Sequence, residues 1–236
     1  MRVNNQHWLK NVPIAHRGLW GADIIENTLS AYQNAIDFGY AIEVDVFSST
    51  DGVLFSFHDD NLTRLTGVDA KIYEKDSAFI KSLSLCNREK IPTFSDLLFT
   101  VNGKVPLLIE IKNQPDKKIV ERVLDELYEY QGEYAIQSFN PFYINKVKKI
   151  APHVIRGVLG TNLKESKSAI KNFIIKKMPF NKFIKPDFIS YNHTGLPLNS
   201  KKTKDKALLA WTITSQSQLD KIKNLCDNVI FEKFIP

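Results

Sequence analysis

The chain is 236 residues long, 43% hydrophobic and 25% charged, a composition that excludes disorder and a fibrous repeat and supplies enough apolar residues for a substantial core. Its formal net charge is +6, carried by 26 Lys and only 6 Arg; lysine is a point charge without a planar fork, so base-reading nucleic-acid recognition is disfavoured. Two distant cysteines, Cys86 and Cys226, lack any metal-ligand spacing, which excludes a zinc site and a disulfide framework and points to a reducing compartment.

The N-terminus lacks the succession of a signal peptide, and no apolar run approaches the ~18 residues of a membrane span. A cytoplasmic protein is expected, with residues 1–236 forming a single domain. The charge is uneven. Residues 1–140 hold 14 Lys/Arg against 20 Asp/Glu, whereas residues 141–206 hold 15 Lys/Arg and three acids.

In chain order, apolar β-branched runs at 12–15, 41–47, 105–111, 134–138, 155–159, 187–191, 207–213 and 228–231 read as strands. They alternate with amphipathic helical stretches, the order that makes parallel sheets with crossover helices. The spacing of Leu29, Tyr32, Ala35 and Ile36 predicts a helix over 28–38, capped by Asn27 and stopped at Gly39. A second helix is predicted over 117–130. Eight strand units in this length predict an α/β fold, a (β/α)8 TIM barrel. The region 53–99 breaks the rhythm: VLFSFH reads as an extra short strand, and 66–90 as an irregular insertion after the second barrel strand, before a helix capped at Thr93 or Ser95. The lysine pairs and runs at 176–177 and 201–206 are placed in loops.

His16 and Arg17 follow the first strand directly, at the C-terminal end where barrel enzymes carry their reacting groups. On the second strand, Glu43 and Asp45 are two residues apart and share a face; Glu110 and Lys112 repeat that arrangement on the third. A lone acid on a strand is more often a solvated or ion-paired group than a ligand. Three together are different, because like charges ~4 Å apart repel by about 4 kcal/mol at an effective dielectric of 20, so they take up protons or hold a cation. The donors are all hard oxygens, which selects magnesium or calcium over zinc. Three carboxylates, a divalent cation, Arg17 and Lys112 leave one positive charge, which one phosphodiester neutralises. His58 closes the short strand. Alone it would read as a loop histidine, but with His16 it makes an acid/base pair suited to neutral pH. Trp211, at a strand end, either walls the substrate pocket or packs over the rim.

The ordered set HRG at 16–18, ENT at 26–28, EVDV at 43–46, TDG at 50–52, HDDNLTRLT from His58 and EIK from Glu110 resembles the glycerophosphodiester phosphodiesterase family. The match is dense over about the first 112 residues, with weaker echoes in QSF at 137–139 and WT at 211–212. The resemblance implies a TIM-barrel hydrolase that uses a divalent cation, Mg2+ or Ca2+, to cleave small glycerophosphodiesters to glycerol 3-phosphate and an alcohol. It assigns His16 and His58 as the acid/base pair, Arg17 and Lys112 to the phosphate, and Glu43, Asp45 and Glu110 to the metal. Attack by the glycerol 2-hydroxyl would give a cyclic phosphate that water opens, with His16 taken as base and His58 as acid; the sequence is equally compatible with the reverse. Two further readings keep the same residues: action on lysophospholipids, and a non-catalytic phosphodiester-binding barrel. Four positions depart from the family pattern: Ile25 replaces the usual proline, Thr214 an asparagine, and Phe231-Glu232 a Thr-Asp pair.

Residues 164–186 mix lysines with Ile170, Phe173, Ile174, Ile175, Met178, Phe180 and Phe183, a basic amphipathic pattern interrupted by Pro179. A barrel helix with a solvated lysine face is the favoured reading, over weak peripheral association with an anionic membrane.

Overall fold

The computed structural model describes residues 2–86, 88–163 and 168–236; residues 164–167 of the basic segment lie outside them. Nine strands run in chain order: β1 (Ile14–Ala15), β2 (Ala41–Ser48), β3 (Leu54–Ser56), β4 (Leu107–Ile111), β5 (Tyr134–Ser138), β6 (Ile155–Gly160), β7 (Phe188–Asn192), β8 (Ala207–Ile213) and β9 (Asn228–Phe231). All eight sequence-predicted strands are present, and VLFSFH supplies the short β3. The chain divides into two compact units, Arg17–Glu133 and Met1–His16 with Tyr134–Pro236.

In the Arg17–Glu133 unit, β2 pairs in parallel with β4 and antiparallel with β3. Every residue of β2 and β4 is buried, the mark of strands covered on both faces. The helix Leu29–Asp37 buries Ala31, Tyr32 and Ala35, and its cap is Thr28, whose hydroxyl accepts from the Ala31 N–H. The sequence had placed that cap one residue earlier. Asn27 stands at φ 54 with its amide on Asp45, whereas Thr28 has the extended backbone a cap requires. The helix Phe94–Val101 starts from a capping box between Thr93 and Asp96. The helix predicted over 117–130 is shorter, Ile119–Glu126, because the Asp116 carboxylate takes the Lys118 N–H and the chain leaves the helix at Leu127.

The stretch expected to be irregular after β3 contains the helices Thr63–Thr66 and Ser77–Ser82 and a 3-10 turn at Ile72–Glu74. Phe47, Phe55, Phe57, Leu62, Ile72, Ile80, Leu85 and Ile91 form a small core beneath it. Each such fully buried side chain contributes about 1.5–3 kcal/mol, so the stretch is anchored independently of its short helices.

In the other unit, six parallel strands run in the order β1-β9-β8-β7-β6-β5. The helix Pro141–Ile150 begins with Asn140 as cap and proline at the first position. The basic segment forms the helices Ala169–Lys177 and Asn181–Ile184, broken around Pro179. Lys176 and Lys177 close a helix, and Lys201 and Lys202 sit within Ser200–Thr203, rather than in loops; a helix C-terminus favours cations. Phe142, Ile170, Phe173 and Phe183 are all more than half exposed. Both cysteines are free. Among the described residues no helix is long and apolar enough to cross a membrane.

Candidate active site

Parallel pairing of β2 and β4 sets Asp45 opposite Glu110, with Glu43 two residues back on the same face as Asp45. Carboxylate oxygens of Glu43, Asp45 and Glu110 lie within 4.8 Å of one another, and all three side chains are buried. Lys112, one step past the end of β4, brings Nζ to 3.0 Å from both Asp45 Oδ1 and Glu110 Oε1. Burial first, then Asp45 and Glu110, pushes the Glu43 carboxyl well above its usual range. Burial and Asp45 raise Glu110 as well, against the opposing pull of Lys112. Burial works against the Lys112 charge, yet Asp45 and Glu110 hold its ammonium above the usual value. Lys112 therefore stays charged while two of the carboxyls resist ionisation.

Arg17 sits at φ 61, which turns its own backbone N–H onto Glu43 Oε2 at 3.1 Å. The next residue must be glycine: Gly18 is at φ +80, and a Cβ there would lie 2.8 Å from the Ala31 backbone. The Arg17 guanidinium donates to Glu26 Oε1 at 2.7 Å and brings Nε to 3.6 Å from Asp45. That Nε is buried and makes no hydrogen bond among the described residues, so its link to Asp45 is an ion pair rather than a hydrogen bond. Asn27 donates to Asp45 Oδ2 at 3.0 Å and accepts from the Tyr32 hydroxyl at 3.1 Å, fixing the carboxylate from the side away from Lys112.

His58 Nδ1 is 2.6 Å from Asp59 Oδ1. An ionised carboxylate only accepts, and although burial opposes it, His58 and Arg64 hold Asp59 well below the usual carboxylate range. Nδ1 is thus the donor and Nε2 the free nitrogen. His58 lines an open cleft together with Asp59, Asp60, Asn61, Thr63 and Arg64. The Arg17–Glu133 unit accordingly contains Arg17, Glu43, Asp45, Glu110 and Lys112 in one contiguous cluster, with His58 near enough to act electrostatically on Glu110.

His16 and Trp211 belong to the other unit. His16 Nδ1 lies 2.7 Å from Glu232 Oε2, the same imidazole–carboxylate arrangement as at His58. Trp211 packs edge-on against Phe139, ring centroids 5.7 Å apart, and its indole N–H is buried with no hydrogen-bond partner among the described residues. The sequence reading assigned no role to Glu26, Asp59, Arg64 or Glu232, and took Asn27 for a cap. Glu26, Asn27, Asp59 and Arg64 lie inside ENT and HDDNLTRLT, and Glu232 in the departing Phe231-Glu232 pair, but Glu26–Arg64 and His16–Glu232 join residues 38 and 216 positions apart.

A parallel α/β scaffold that carries three buried carboxylates, a lysine bridging two of them and an arginine beside a third defines a site for phosphoryl transfer. Residues 16–231 match the sequence profile of the Glycerophosphoryl diester phosphodiesterase family, and the chain belongs to that family. A glycerophosphodiester phosphodiesterase of Caldanaerobacter subterraneus is 31% identical over 166 residues, spanning 64% of this chain and 67% of the relative. The crystal structure of a glycerophosphodiester phosphodiesterase from Thermotoga maritima matches with a TM-score of 0.73 and 25% identity, over 94% of both chains. An Oleispira antarctica phosphodiesterase, solved in complex with the product sn-glycerol-3-phosphate, matches with a TM-score of 0.76 and 24% identity over 94% of this chain and 92% of its own. These likenesses fix the fold as the (β/α)8 TIM barrel, and the chain is a glycerophosphodiester phosphodiesterase that hydrolyses glycerophosphodiesters.

Proposed function

We propose that the chain is a single catalytic domain that cleaves glycerophosphodiesters to glycerol 3-phosphate and a free alcohol, with Glu43, Asp45 and Glu110 as metal ligands and His16 and His58 as the acid/base pair. The observation that carries this reading is the buried three-carboxylate cluster with Lys112 and Arg17 both paired to Asp45. Three hard-oxygen donors, two of them held above their usual pKa for want of positive charge, fit magnesium or calcium. A divalent cation bound there would supply positive charge at a non-bridging phosphoryl oxygen.

The chain's own groups account for the rest. Arg17 and Lys112 hold the phosphate and stabilise the charge that builds on it. His16, its Nδ1 committed to Glu232, removes the proton of the glycerol 2-hydroxyl through Nε2, and that oxygen bonds to phosphorus. The bond from phosphorus to the leaving alcohol breaks, and His58 Nε2 protonates the departing oxygen. In the second half His58 takes a proton from water, water oxygen attacks phosphorus, and the 2-oxygen leaves with the proton from His16. Trp211, with its unpaired indole N–H, walls the glycerol side. The stretch between β3 and the helix Phe94–Val101 is read as the insertion that carries His58 and the leaving-group cleft. The exposed Phe142, Ile170, Phe173 and Phe183 among lysines support weak peripheral contact with anionic membrane.

The test is one reaction: purified protein with magnesium or calcium and glycerophosphocholine, followed by phosphorus NMR. Glycerol 3-phosphate should appear, and excess EDTA should abolish it. No product with either ion refutes the activity on this substrate, and an undiminished rate in EDTA removes the metal.

A further inference from the structure

We infer that Arg64 is a positioning residue that locks the His58 imidazole and the Arg17 guanidinium into one hydrogen-bonded array. This rests on the roles proposed above for those two residues. Arg64 Nε donates to Asp59 Oδ2 at 2.6 Å, and its two terminal nitrogens donate to Glu26 at 2.6 and 3.0 Å. The far oxygen of Asp59 receives His58 Nδ1, and Glu26 Oε1 also receives Arg17. One planar fork thus clamps two carboxylates, each of which holds a different working side chain.

Two consequences follow from the chemistry of that fork. Asp59 is held on both oxygens, so it cannot turn away from His58; Nδ1–H stays directed at Asp59, and Nε2 is left as the nitrogen that gives its proton to the leaving oxygen and takes one back from water. Glu26, buried to 6% exposure, would pair one-to-one with Arg17 if Arg64 were absent. Sharing Glu26 between two guanidiniums holds Arg17 through a single nitrogen and keeps the rest of its guanidinium beside Asp45. The Arg64 side chain is 45% exposed, and the four-residue helix that carries it has no side-chain cap, so core packing does not explain its placement. A lysine cannot replace it, because a single ammonium offers no fork to span both carboxylates.

The test compares wild type, Arg64→Ala, Arg64→Lys and Asp59→Asn, each checked for folding by circular dichroism. Steady-state kinetics use glycerophosphocholine with saturating magnesium or calcium, and nitrogen-15 NMR reports the His58 ring. Arg64→Ala should lower kcat by roughly 10- to 100-fold, the usual cost of releasing an orienting partner, and raise KM severalfold. Its His58 Nδ1 signal should move toward mixed tautomers. Arg64→Lys should not restore wild-type kinetics, and Asp59→Asn should reproduce the kcat loss with little change in KM. A kcat and KM within twofold of wild type in Arg64→Ala, or an unchanged His58 spectrum, overturns the inference, as does a variant that loses only thermal stability. If wild type itself shows no hydrolysis, the proposed reaction fails, and the His58 spectra alone decide whether the array exists.

Discussion

Removing the charge of Glu43 should have opposite effects on the protein with and without a divalent cation. Glu43 lies within 4.8 Å of ligand oxygens from both Asp45 and Glu110. Lys112 contacts those two and not Glu43, and two like charges at that separation repel by about 3.5 kcal/mol at an effective dielectric of 20. Protonation caps the penalty: moving a carboxyl from its usual 4.5 to pH 7.5 at 1.36 kcal/mol per unit limits the cost to about 4 kcal/mol. Glu43→Gln keeps an oxygen for the Arg17 N–H and discards the repulsion. In EDTA at pH 7.5 the variant should therefore melt higher than wild type, by up to ~8–16 °C at roughly 2–4 °C per kcal/mol for a chain of this size. The pH dependence has a definite sign. Because the folded pKa of Glu43 is raised, the folded state holds more protons than the unfolded one, so wild-type stability falls as pH rises above the usual carboxylate range toward that raised value. The advantage of the variant should vanish below about pH 4, where the carboxyl is protonated in both states. With a cation the order should reverse: wild type gains about 2.7 kcal/mol at a hundred times Kd, and the variant gains much less. Differential scanning fluorimetry in EDTA and in millimolar magnesium or calcium reads both arms. A variant that melts lower than wild type in EDTA, or that keeps the full cation response, would refute the electrostatic account of the cluster.

His16→Ala and His58→Ala should each lose roughly 100- to 10,000-fold in turnover; single-turnover rates near wild type would remove the acid/base assignment. Glu126, whose carboxyl is pushed up to about 7 by burial and then by Asp96, destabilises the fold at pH 8 and not below pH 4.5. Glu126→Gln should stabilise the fold at pH 8 by on the order of 1 kcal/mol after solvent screening, raising the melting temperature by ~2–4 °C, and leave it unchanged at pH 4; equal effects at both pH values would contradict this. Sedimentation with anionic vesicles should bring down a small, salt-sensitive fraction of the protein, and Phe173→Ser with Phe183→Ser should reduce it; no binding at low salt ends the membrane reading.

What was legible in the sequence follows from which physical signals are local. The strands carrying Glu43, Asp45 and Glu110 are apolar apart from those acids and the serine that ends the second strand, and period-two alternation puts Glu43 and Asp45 on a shared face without reference to the rest of the chain. The orienting residues have no such signature. Glu26 and Arg64 are 38 positions apart, and His16 and Glu232 are 216 apart, so a lone glutamate in a turn looks the same whether or not an arginine waits across space. The short helices after β3 were missed for a related reason. Their buried anchors, Leu62, Ile72, Ile80 and Leu85, follow no helical period and are set by tertiary packing over Phe47, Phe55 and Phe57. Asn27 misled the reading because an asparagine before a helix is normally a cap, and only its contact with Asp45 shows otherwise.

Burying three carboxylates also requires something that forbids the obvious relaxation, a slip of the strands. A shift of one residue in β2 would carry Glu43 and Asp45 to the opposite face, away from Glu110, and would relieve the repulsion. The residues between them oppose it. Ile42, Val44 and Val46 are wholly buried on the other face of β2, as are Leu107, Ile109 and Ile111 in β4. Turning β2 over would bring its three apolar side chains into the charged cluster and its two acids into the core, at about 1.5–3 kcal/mol for each apolar side chain displaced, before any penalty for the buried charge. That exceeds the few kcal/mol of repulsion that slipping would relieve. The apolar face therefore holds the acidic face in register, and Lys112, fixed two residues after Glu110 by the same pleat, arrives where two carboxylates can share it.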